Sequence, residues 1–116
     1  MKLRITDKAK EDLAEIDGYT RENWGNHQAD TYMAELENRF VSLLGTPYLG
    51  SARPEVSQGY RCLPEGKHLI FYRIEGDVVE ILGIPHARMD IERHLEREKE
   101  EQKRARDDDD DDERER

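Results

Sequence analysis

Two short apolar runs, HLIFYRI at 68–74 and VVEILGI at 78–84, are separated only by Glu75, Gly76 and Asp77. Branched and aromatic side chains suit a pleated surface and Gly suits a tight turn, so the composition predicts two antiparallel strands joined as a hairpin. Along the first run, Leu69, Phe71 and Arg73 alternate with His68, Ile70, Tyr72 and Ile74, and the pattern leaves open which set faces the core. After Pro85 the period changes: Met89, Ile91 and Leu95 stand among charges, and a helix carrying Arg88, Arg93 and His94 is expected. The hairpin thereby delivers His86 and Arg88 to the edge of a sheet.

The preceding chain supplies what packs on that hairpin. Residues 2–5 alternate polar and apolar and read as a short first strand, with Leu3 and Ile5 pointing one way. Thr6 or Asp7 then offers a helix N-cap, and Ala9, Leu13, Ile16 and Thr20 follow at helical spacing. Trp24, Gly25 and Asn26 read as a helix stop followed by a new cap on Asn26. The next stripe, Ala29, Tyr32, Met33, Leu36, Phe40, Leu43 and Leu44, runs nearly five turns to Gly45, Thr46 and Pro47. Two helices with so short a connection must form an antiparallel hairpin. Residues 48–58 read as a loop, residues 59–63 as a strand, and residues 64–67 as a turn. The expected class is α+β in the order β-α-α-β-β-β-α, a helical hairpin packed on a small antiparallel sheet.

Of the 40 apolar residues, 39 lie in residues 1–95, about 41% of that stretch, so the globular part ends there. Residues 1–95 form one domain with a net charge of -4, and residues 96–116 carry -5. The run EREKEEQKRAR is a helix-favouring extension with ion-pair spacing, and DDDDDDERER repels itself, which implies a disordered acidic tail. Such a tail either solubilises the chain or competes for a basic patch on its own domain. An acidic protein is a poor ligand for DNA or RNA, whose phosphates repel it, so direct DNA binding is not expected. The lone Cys62 forbids an intrachain disulfide and reads as a small buried side chain in a reducing compartment. No signal peptide or membrane-length apolar run is visible, which points to a cytoplasmic protein with no membrane partner. With no cysteine pair or HExxH, neither a metal site nor a cofactor is expected.

Three stretches carry a family resemblance: Gly59, Tyr60 and Arg61; HLIFYRI; and PHARMDIERHL at 85–95. The opening LRITDKAKEDLAEIDGYTRENWG fits as well. Together they resemble the ParE branch of the RelE/ParE superfamily of bacterial toxins from type II toxin-antitoxin systems, over about residues 1–95. The resemblance implies a growth-arresting toxin, neutralised by a cognate antitoxin that wraps it in a possible hetero-oligomer. ParE toxins are understood to poison DNA gyrase, whereas RelE relatives cut messenger RNA in the ribosomal A site.

Ribosome-dependent cleavage needs a base for the ribose 2′-OH, cations for the extra phosphate charge and a proton donor to the leaving oxygen. Arg61 and Arg73 are the candidate cations and His86 the candidate acid or base, since an unperturbed imidazole titrates near neutrality. RelE-like nucleases carry a denser basic surface and a C-terminal tyrosine or histidine pair, and no tyrosine follows Tyr72 here. Gly83 stands where relatives of the branch often have arginine, and Pro85 where leucine is usual; both count against nuclease chemistry. The first expectation is therefore a gyrase-binding toxin without covalent chemistry, contacting its target through Arg61, Tyr72, Arg73, His86 and Arg88. The alternatives are a ribosome-dependent endoribonuclease acting on message, or an inactive toxin fold kept for binding. The plain structural readings compete with all of these: Arg61 and Arg73 also fit ion pairs with Glu55, Glu80 or Asp90, and His86 fits a cap on the last helix. Tyr32, Leu36 and Phe40 are the candidates for supporting the antitoxin groove.

Overall fold

The computed structural model of the chain describes residues 1–88. The helix expected from Met89 and the extension and tail at 96–116 lie outside them. Strand β1, Lys2–Ile5, leads at once into helix α1, Asp7–Trp24. Thr6 makes the change of direction: its Oγ1 accepts the Ala9 N–H at 3.1 Å and donates to the Ile81 carbonyl at 3.0 Å, capping the helix and fastening it to the sheet. Helix α2, Asn26–Gly45, begins after a single residue. That residue, Gly25 at φ +98°, ends one helix and starts the other in a backbone conformation that side chains disfavour. Asn26 is thus the first residue of α2 and not its cap, and its Oδ1 accepts from Arg21 instead.

Beyond α2 come β2 (Ser51–Ala52), β3 (Arg61–Glu65), β4 (His68–Glu75) and β5 (Val78–Gly83). Both hairpin turns have two residues with Gly first, Gly66 before Lys67 and Gly76 before Asp77, each glycine at φ +58°. Pro64 and Glu65, expected in the turn, instead end β3. Proline is tolerated there because β2 pairs only with Arg61 and Cys62, leaving the outer edge open beside Pro64.

The sheet order is β1-β5-β4-β3-β2. It is mixed where a purely antiparallel sheet was expected: β1 runs parallel to β5, with Lys2 opposite Val78 and Ile5 opposite Ile81. The meander leaves the outer edge of β5 unpaired, and β1 fills it while turning Leu3 and Ile5 toward the helices. Two residues of the expected loop also pair, as β2.

The face left open by the sequence is settled by packing. Ile70, Tyr72 and Ile74 join Val79, Ile81, Leu36, Phe40 and Leu43 beneath the helical hairpin. Burying each such large side chain contributes about 1.5–3 kcal/mol, so this layer accounts for most of the fold's apolar stabilisation. The opposite face is also covered in part. Phe71, Leu82, Cys62 and Tyr60 form a second small core, with Val56 and Leu69 packed against it. Leu82 lies on that side by alternation from Ile81, and the one-residue slip of the β4–β5 register between Phe71 and Tyr72 puts Gly83 opposite Phe71. Cys62 is buried as expected, and burial pushes its thiol pKa up, away from reactivity.

Candidate functional site

A cleft of 720 Å³ opens between α1, the start of α2, the Gly66 turn and residues 84–86. Its walls are largely apolar, with Ile16, Tyr19, Trp24, Tyr32, Ile84 and Pro85 contributing. Tyr19 is 64% exposed and Trp24 63%, an unusual cost for two large rings on one rim. Lys67 Nζ lies 5.7 Å from the centre of the Trp24 ring, within cation–π range.

Polar groups converge at the inner end. The Tyr32 hydroxyl receives the Lys67 N–H at 3.2 Å and stands 3.0 Å from the Glu65 carbonyl and 2.7 Å from His68 Nδ1. One hydroxyl has one proton. If it goes to Glu65, His68 Nδ1–H donates to the phenol, and all three groups are satisfied; we assign that tautomer on this count, which leaves His68 Nε2 free to accept. His86 pairs with His68 as an isolated bridge, the rings meeting edge-on at 5.2 Å. Its Nδ1 accepts the Arg88 N–H at 3.1 Å. Burial, then the neighbouring charges of His86 and Lys67, pull the His68 pKa down from 6.5 to about 4, with Asp12 opposing, so His68 is neutral at physiological pH. Burial likewise raises the Tyr32 phenol.

Asp12, also in the wall, is not among the residues that the sequence singles out for the site. It is 4% exposed, pairs with Lys8 at 2.9 Å and accepts the Ile84 N–H at 2.8 Å, tying α1 to the segment after β5. The signal was available: Asp12 falls between Ala9 and Ile16 on the apolar stripe, where a carboxylate needs partners.

The structure does not bring Arg61, Arg73 and His86 together. Arg61 is the cross-strand partner of Tyr72 and so lies on the helix side, where its guanidinium donates to the Gly50 and Tyr48 carbonyls and covers the Tyr48 ring at 4.9 Å. Arg73, the next residue along β4 from Tyr72, takes the other face. There its Nε donates to Glu80 at 2.8 Å, and Glu80 also receives Arg4 at 3.3 Å, a charge ladder across three strands. His86 sits beside His68, five residues along β4 from Arg73, a separation of about 17 Å at a strand's rise per residue. Arg73 thus has its expected carboxylate, whereas Arg61 is held by carbonyls.

Tyr72 is fully buried. Its hydroxyl donates to the Pro47 carbonyl at 2.7 Å and accepts the Gly50 N–H at 2.9 Å, so it anchors the loop after α2 and offers no surface to a target. Leu36 and Phe40 are 0% and 1% exposed, because their stripe faces the sheet; of the three groove candidates only Tyr32 reaches the surface, at the cleft. His86 stands at the cleft mouth, and Arg88 is the last described residue.

Fold and site together define a small α+β protein, a helical hairpin on a mixed sheet, in which Tyr72 and Asp12 serve the structure. The chain belongs to the family described as ParE toxin of type II toxin-antitoxin system, parDE, whose model matches residues 3–91. Toxin ParE1 of Mycobacterium tuberculosis (strain CDC 1551 / Oshkosh) is 35% identical over 92 residues, covering 78% of this chain and 94% of that protein. Toxin ParE1 of Caulobacter vibrioides is also 35% identical over 92 residues, covering 79% and 95%. A solved chain from the chromosomal ParDE toxin-antitoxin system of P. aeruginosa superposes with a TM-score of 0.65 at 25% identity, covering 74% of this chain and 95% of that one. The chain is therefore a ParE-type toxin of a type II toxin-antitoxin system. Among the described residues no helix is long and apolar enough to cross a membrane.

Proposed function

We propose that this toxin arrests growth by binding DNA gyrase and blocking supercoiling, and that a cognate antitoxin neutralises it. The observation carrying this reading is the dispersal of Arg61, Arg73 and His86 over two faces and both ends of β4. Proton transfer and phosphate stabilisation need groups within hydrogen-bond reach of one substrate, and these three are too far apart to share one. A binding toxin needs only surface. Arg73, with its guanidinium half-exposed, and Arg88 supply cations for contact, and His86 adds a polar ring beside Arg88. Family membership supports gyrase as the target, and the likeness to a ParDE chain supports the antitoxin as partner.

The test is a supercoiling assay with purified, antitoxin-free toxin and gyrase. Inhibition is expected, relieved by antitoxin and weakened by about tenfold in R88A, since a contact at a central cation is commonly worth more than 1 kcal/mol. Unimpaired gyrase at excess toxin, together with cleavage of message on ribosomes, overturns the reading in favour of a nuclease. Unimpaired gyrase with no cleavage identifies an inactive binding module.

A further inference from the structure

The cleft lies where the described chain ends. Pro85 and His86 form part of its wall, the Ala87 N–H binds the Lys67 carbonyl at 2.8 Å, and the Arg88 N–H turns back onto His86. The exit is thus pinned at the cleft mouth, and the same Lys67 reaches across to the Trp24 ring. Twenty-eight residues follow, and their only apolar members are Met89, Ile91, Leu95 and Ala105. Three of the four fall in the first seven, with Ile91 and Leu95 four apart and so able to share one helix face. The cleft wall carries Trp24 and Tyr19, two large exposed rings. Charges are available on both sides: the segment after Arg88 carries Asp90, Glu92 and Arg93, and the wall carries Lys67 and Glu15.

We propose that residues 89–95 of this same chain occupy the cleft, placing Ile91 and Leu95 against Trp24 and Tyr19. The cleft is then a site filled in cis, and anything else that enters it must first displace this segment. The inference is independent of the toxin's target.

Trp24 is the single tryptophan, so its fluorescence reports the cleft directly. In the full chain, M89S/I91S/L95S is expected to shift Trp24 emission to the red and to raise acrylamide quenching roughly twofold, as a buried indole becomes wet. Native emission is expected not to change on dilution. Amides of residues 89–95 in the native chain are expected to be protected against hydrogen exchange, a measurement that needs no variant. Identical emission and quenching in the two proteins, or free exchange across 89–95, overturns the proposal. Emission that changes on dilution also overturns it, by making a second copy the occupant.

Discussion

Asp12 shows how much of this fold depends on one buried carboxylate. It accepts the Ile84 N–H and pairs with Lys8, so Asp12→Ala strands a buried donor and a cation together. A loss of about 2–3 kcal/mol is expected in urea unfolding, and less for Asp12→Asn, which keeps an acceptor. His68 gives the protein a pH dependence of definite sign. Its folded pKa of about 4 lies below 6.5, so between those values the unfolded chain takes up a proton that the folded chain refuses. Stability contributed here is complete above about pH 6.5 and is lost as pH falls toward 4. Denaturation across that window is expected to show a slope that His68→Gln flattens; an unchanged slope would place the charged imidazole comfortably in solvent. The stripe marked Asp12 as a carboxylate in need of partners, but the partners themselves were not legible in the sequence, because they come from distant parts of the chain. Asp12 meets Ile84, and His68 meets Tyr32.

At the level of elements the sequence was far more readable. The helical stripes on α1 and α2 are the buried faces, and both hairpins turn at a glycine, because helix period and turn chemistry are local properties. What escaped was non-local: the parallel pairing of β1 with β5, the two-residue β2, and a strand that keeps its proline. The two turns also allow a matched test. Gly66 and Gly76 share φ +58°, yet a Cβ at Gly66 would sit 2.6 Å from the Tyr32 ring, whereas one at Gly76 meets nothing within 4 Å. Gly76→Ala is expected to cost about 1 kcal/mol of backbone strain. Gly66→Ala should cost roughly twice that, because the ring must move and the Tyr32–His68 bond loosens. Equal losses in thermal unfolding would mean that Tyr32 yields without cost.

For the whole molecule, the candidate site was partly legible. His86 does stand at the end of the sheet, but the cleft it borders was not foreseen, since it is made by α1 approaching a segment some seventy residues later. The expected cluster of Arg61, Arg73 and His86 failed for a geometric reason. Alternation along β4 sends Arg73 to the face opposite Arg61, and the strand's length separates both from His86. On the proposed function, the supercoiling assay tests this toxin more directly than any catalytic variant.

The pairing of β1 with β5 also has a bearing on time. The partner of Lys2, Val78, is synthesised 76 positions after it, so β1 remains unpaired while that stretch is being made. At about 5–20 residues per second that interval lasts several seconds, and the late closure of so distant a contact slows folding further. The nascent chain therefore carries a bare strand and an unfinished core throughout its synthesis. The toxin gains its working shape only once translation has passed β5.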